Sequence, residues 1–102
     1  MKLSGIDANL LAALDALLRE KSVTRAARRL GVGQPALSHS LARLRAHFKD
    51  ELLVLKGRNY VLTDKAEKLA SVVANATRAL SDVFEEQPLF QREHSMDQLA
   101  GF

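Results

Sequence analysis

Residues 22–48 constrain this chain more than any other stretch, because two short helical patterns meet there across a connection of a few residues. The first runs Ser22-Val23-Thr24-Arg25-Ala26-Ala27-Arg28-Arg29-Leu30 and stops at Gly31. Ser22 or Thr24 can cap it by accepting from an unpaired backbone N–H, and Gly31 suits the left-handed conformation that ends a helix. After Val32-Gly33 the second begins Gln34-Pro35-Ala36, where proline fits because a first-turn N–H has no helical partner to lose. Leu37, Leu41, Leu44 and Phe48 then recur at helical spacing and predict a buried stripe. Two helices joined so closely must cross sharply, which predicts a helix-turn-helix.

The opposite face of the second helix carries Pro35, His39, Ala42 and Ala46, with Gln34, Ala36, Ser38 and Arg43 beside them and no acidic residue before Asp50. Small side chains let a helix approach a major groove, a glutamine can pair with an adenine edge, and the methyl of Ala36 can touch thymine. A merely solvated face would more often carry glutamate among its basic residues.

Charge placement points the same way. Residues 1–63 hold eleven Lys/Arg against five Asp/Glu, whereas residues 64–102 hold four against seven. The basic part is the expected nucleic-acid surface. At 102 residues the chain can form one domain. Cysteine is absent, which excludes a disulfide framework and a thiolate metal site and makes a reducing cytoplasm the expected location. No apolar run reaches membrane-spanning length, and Met1-Lys2-Leu3-Ser4-Gly5 does not lead into a signal-type apolar core, so no membrane partner is expected.

Before this unit, Asp7 or Asn9 can start a helix whose Leu10, Leu11, Leu14, Leu17 and Leu18 follow helical periodicity. After it, Leu52-Leu53-Val54-Leu55 and Tyr60-Val61-Leu62 are β-prone and flank the turn-like Lys56-Gly57-Arg58-Asn59, which predicts a small hairpin, or wing. Thr63 then caps a helix expected to reach about Glu86, ahead of Pro88. In that helix Ala66, Val73 and Leu80 occupy one heptad position and Leu69, Ala76 and Val83 the other. Such a stripe seeks another helix, and the same helix of a second chain is the expected partner, giving a homodimer.

Several motifs together, Asn9-Leu10-Leu11, Ser22-Val23-Thr24-Arg25-Ala26-Ala27, Gln34-Pro35-Ala36-Leu37-Ser38, Leu41-x-x-Leu44 and Leu62-Thr63, carry a family resemblance. Over about residues 6–87 the chain resembles the N-terminal DNA-binding domain and linker helix of LysR-type transcriptional regulators, and Ser38 to Arg45 is similar to their nodulation and aromatic-degradation branch. The resemblance implies a mainly α fold: a winged helix-turn-helix of three helices and a two-stranded wing over residues 1–63, then a dimerisation helix over 64–87. It implies a homodimer on an interrupted palindrome in promoter DNA, with bases read by Gln34, Pro35, Ala36, Ser38 and His39. Arg58 at the wing tip would reach a narrow minor groove, while Arg25, Arg28, Arg43 and Lys56 would contact phosphates.

Residues 88–102 resemble a hinge and the first strand of the family's C-terminal effector-binding domain, and are expected to be disordered. We therefore expect a fragment of a longer regulator, whose small-molecule co-inducer would act only through that missing domain. The chain departs from the family pattern at Gly33, where Ser or Thr is common, at Leu53 and Leu55, where Phe and Arg are common, and at Asn59 and Ala66, where glycine is common.

Other chemistries find little support. Gly31-Val32-Gly33-Gln34-Pro35-Ala36 formally matches a dinucleotide fingerprint, but an arginine-rich helix stands where that motif needs a buried strand. His39 and His47 lie eight residues apart on one helix, too far for a two-ligand clasp, and Ser38 and Ser40 have no separate acid or oxyanion motif. Neither a cofactor nor enzymatic activity is expected. The alternative reading is a dimerisation module that binds nucleic acid without sequence preference or forms mixed dimers with a full-length regulator.

Overall fold

The computed structural model describes residues 7–85, so the expected hinge at residues 88–102 lies outside the described residues. Six elements follow in order: α1 (Ala8–Glu20), α2 (Val23–Leu30), α3 (Gln34–Phe48), β1 (Leu53–Lys56), β2 (Asn59–Leu62) and α4 (Asp64–Phe84).

Helix α1 is the hub. Asp7 caps it by accepting from the N–H groups of Asn9 and Leu10, at 2.9 and 3.3 Å. Its Ala13, Leu14, Ala16, Leu17 and Leu18 are buried, and α2, α3 and α4 all pack on it. Leu37, Leu41 and Leu44 of α3 bury the predicted stripe in the same core, with Ala26 and Ala27 of α2 between, and Phe48 packs at its margin. Truncating a fully buried leucine such as Leu17 to alanine costs about 2–5 kcal/mol, a large fraction of a small domain's stability.

The capping residues decide between alternatives that the sequence left open. Ser22, rather than Thr24, caps α2 by accepting from Arg25 N–H at 3.1 Å, and Gly31 closes it with a φ of 70°. Gly31, Val32 and Gly33 alone separate α2 from α3. Gly33, which lacks a hydroxyl, gives α3 no side-chain cap.

The wing is one antiparallel pair, with Leu53 opposite Leu62 and Lys56 opposite Asn59, so its turn consists of Gly57 and Arg58 alone. Gly57 carries the positive φ, 66°, that a two-residue turn needs at its first position. The turn is thus tighter than the four residues expected. Asn59 sits in a strand, and Gly57 supplies the left-handed conformation.

Between α3 and β1 the chain turns through Leu52, whose φ of 67° is unusual for a residue with a side chain. Leu53 N–H donates to Glu51 C=O at 2.7 Å across it, the three-residue turn of positive φ that is rare because it is strained. Leu52 nonetheless buries its side chain fully. Strain of about 1–2 kcal/mol is offset by a buried leucine worth about as much or more.

Thr63 caps α4 by accepting from Ala66 N–H at 3.1 Å. In α4 the predicted heptad stripe divides. Ala66 and Val73 are 0% and 5% exposed and belong to the domain's own core, with Leu69 packed against it. This corrects their assignment to a dimer face: the three-helix unit is not closed by its own leucines, and α4 completes it along α1. Further along, Leu80 is half-buried, Ala76 is exposed, and Val83 and Phe84 are 69% and 80% exposed.

Candidate nucleic-acid interface

Helix α3 presents the predicted reading face to solvent. Gln34, Pro35, Ala36, Ser38 and His39 are all exposed on its first turns, as are Ala42 and Arg43 behind them, and no carboxylate occurs between Gln34 and Lys49. The face follows from the stripe: once Leu37, Leu41 and Leu44 are buried, the intervening residues must point outward. Ala36 and Ser40 also border a groove completed by Asn9 and Ala12 of α1, by Leu30 at the end of α2 and by Val32 of the turn.

The predicted cations differ in how free they are. Among the described residues Arg28, Lys56 and Arg58 are exposed and have no ion pair. Arg25 is engaged: it donates to the Glu20 carbonyl at 2.6 Å and lies 3.5 Å from the Glu20 carboxylate, which Arg29 also meets at 2.9 Å. Arg43 lies 3.7 Å from Asp7, tying α3 to the start of α1. These pairs are exposed, so each is worth about 0–1 kcal/mol and a phosphate could compete for the arginine.

Tertiary structure joins two cations far apart in sequence. Arg25 and Arg58 line one cleft, with Glu20, Lys21, Ser22, Asn59 and Tyr60, where the wing turn faces the corner between α1 and α2. The cleft thus brings together two of the cations expected to hold DNA. Where the family often has arginine, Leu55 is 61% exposed on the wing, opposite Tyr60. Lys56 follows it on the same strand, also exposed.

Arg45 is a residue that the sequence did not single out. Its Nε donates to Glu51 C=O at 2.8 Å and its Nη2 to Leu53 C=O at 2.9 Å, so the guanidinium bridges the carbonyls on either side of Leu52. Nearby, Asp50 accepts from Leu52 N–H at 2.8 Å and from the Thr63 hydroxyl at 2.6 Å. Those two donors, the Thr63 hydroxyl first, hold the Asp50 carboxyl below its usual value of 3.8. The sequence signal was faint: an arginine and an aspartate at the end of a basic helix are ordinary, and only the fold reveals the carbonyls they face.

The remaining chemistry-bearing residues are dispersed. His39 is exposed, and His47 packs edge-on against Phe48 with ring centres 4.8 Å apart. Among the described residues no group of three or more His, Cys, Asp or Glu could hold a metal, and no helix is long and apolar enough to cross a membrane.

Residues 8–67 match the lysR family of bacterial regulatory helix-turn-helix proteins. The chain belongs to the LysR family. Among relatives of this LysR-family domain, nodulation protein D 2 of Bradyrhizobium elkanii is 51% identical over 76 residues, covering 74% of this chain and 23% of that protein. The chain thus spans about a quarter of the length of the curated relatives it matches. A probable transcriptional regulator from Pseudomonas aeruginosa superposes with a TM-score of 0.75 at 44% identity, over 82% of this chain and 28% of that one. The BenM DNA-binding domain, solved bound to its catB site 1 DNA, shares the fold with a TM-score of 0.69 at 18% identity, covering 93% of this chain and all of that one. The winged helix-turn-helix followed by a long helix is therefore the family's fold, and the chain is a DNA-binding domain of a transcriptional regulator.

Proposed function

We propose that this LysR-family domain binds double-stranded promoter DNA sequence-specifically, as a cytoplasmic homodimer on an interrupted palindrome. One observation carries the reading: the first turns of α3 are exposed and free of carboxylates, while Arg25 of α2 and Arg58 of the wing line one cleft. Gln34, Pro35, Ala36, Ser38 and His39 enter the major groove, where bidentate pairing by Gln34 selects adenine. Arg58 reaches the adjacent minor groove, and Arg25, Arg28, Arg43 and Lys56 hold phosphates. Arg25 and Arg43 leave or share their carboxylates to do so, whereas Arg28 and Lys56 are ready as they stand.

Dimerisation uses the second half of α4, around Ala76, Leu80, Val83 and Phe84, where large apolar groups stand uncovered. Two-fold pairing there places two α3 helices on half-sites separated by about one helical turn of DNA, ~34 Å, or a multiple of it.

Competitive selection from a genomic DNA library across a salt series tests the reading. Enrichment of an interrupted palindrome, roughly a thousandfold or more over random DNA, is expected. With that site in hand, Gln34→Ala should lower the ratio of specific to random affinity by about tenfold, whereas Lys56→Ala should weaken both and reduce the salt slope by about one. Retention without enrichment, fading as salt rises, would overturn sequence-specific binding by this chain and leave electrostatic attraction alone.

A further inference from the structure

The outer half of the wing packs no side chain into the core. Leu55, Lys56, Gly57, Arg58, Asn59 and Tyr60 are all exposed, and only the inner ends, Leu53 and Leu62, meet the core. A lone two-stranded hairpin is marginal in water, so the direction in which Arg58 points must be set at the base of the wing. That base contains the left-handed Leu52, a hinge point whose preferred backbone would send β1 elsewhere. The carbonyls of the residues on either side of it, Glu51 and Leu53, are held by the single guanidinium of Arg45, which is rooted in α3 three residues before the helix ends.

We propose that Arg45 is the positioning residue of the wing: by gripping the two carbonyls beside Leu52 it fixes the hairpin to the recognition helix and aims Arg58 at DNA. This deepens the proposed function and rests on its placing Arg58 in the minor groove. Arg45 needs no contact with DNA for this role. Its two in-plane donors match two carbonyls, which an ammonium group cannot reproduce. The Asp50 carboxylate adds a second tie, joining Leu52 N–H to the Thr63 hydroxyl that caps α4, so α3, the wing and α4 meet at one hydrogen-bonded corner.

A double-mutant cycle with Arg58 separates positioning from direct contact. Arg45→Met should lower affinity for the selected DNA site about tenfold in the natural chain and less than about twofold once Arg58→Ala is present. Arg45→Lys should behave nearly as Arg45→Met does; if it restored full affinity, Arg45 would be acting as a charge and the proposal would fall. Independent, multiplying losses from Arg45→Met and Arg58→Ala would overturn it as well. Amide hydrogen exchange in the free protein supplies a readout that needs no DNA. Arg45→Met and Arg45→Lys should speed exchange in β1 and β2 while α1 and α2 stay protected, and unchanged wing exchange would refute the grip. If wing exchange rises as expected but Arg58→Ala alone leaves affinity unchanged, the minor-groove reading of Arg58 fails, and with it the claim that Arg45 aims that residue.

Discussion

The two halves of α4 share one unbroken backbone yet have opposite surroundings. From Asp64 to Val73 the helix lies along α1 and completes the core with Ala66, Leu69 and Val73; from Ala74 to Phe84 it leaves Val83 and Phe84 in water. The apolar spacing is the same throughout, so a heptad pattern identifies a stripe that wants cover without saying which body covers it. Within one chain the first ten residues find that body in α1; Leu80 is half covered, and Val83 and Phe84 are not covered.

Substituting the same charge in each half is the strongest way to break this contrast. Val73→Glu would bury an unpaired carboxylate and should cost about 3–5 kcal/mol, enough to unfold much of the population and erase the cooperative thermal transition seen by circular dichroism. Val83→Glu with Phe84→Glu should leave that transition within a few degrees of its original midpoint. Sedimentation should instead show the proposed dimer dissociating, with a dissociation constant at least tenfold higher. An unchanged mass would overturn the proposed pairing through these side chains.

Acid probes the anchored half more gently, through its cap. Because the folded state lowers the Asp50 pKa, the carboxylate contributes its full stability above the ordinary value of 3.8 and loses it as pH falls through the lower folded value. Thermal midpoints of the natural chain and of Asp50→Asn should therefore differ most near neutrality and converge below pH 3.8. A constant difference across that range would separate the Asp50 contribution from its ionisation.

Thr77 provides the smallest test, just beyond the point where core packing ends. Its hydroxyl oxygen is buried and, among the described residues, has no hydrogen-bond partner. Thr77→Val keeps the shape and removes the desolvated oxygen, so the midpoint should rise slightly, by about 0.5–1 kcal/mol of stability. A clear fall would imply that the oxygen has a hydrogen-bond partner in solution.

Much of the fold was legible because helix ends are written locally. Asp7, Ser22, Gly31 and Thr63 each act within a turn of their own position, and the leucines of α1 and α3 announce their faces by spacing alone. The exposed residues of α3 were legible for the same reason, as the complement of Leu37, Leu41 and Leu44. What resisted reading depends on partners distant in sequence. Nothing local says that Val73 meets the core, that Arg25 is occupied by Glu20, or that Arg58 and Arg25 share a cleft. Arg45 is the sharpest case: its partners are main-chain carbonyls, which every residue has, so no side-chain pattern could mark them.

Leu52 sets a narrow tolerance for sequence change at the foot of the wing. Glycine would relax its backbone but empty the space that its side chain fills, a loss of about 2–5 kcal/mol set against a gain of one or two. Valine or isoleucine would keep an apolar side chain but fit the left-handed backbone worse than leucine does, and asparagine would suit the backbone but bring an amide into an apolar site. The substitutions able to satisfy both demands reduce to unbranched or γ-branched apolar side chains, methionine above all. A saturation library at this position, sorted for folded protein, should return a very short alphabet, even though the residue lies between secondary-structure elements, where variation is ordinarily cheap.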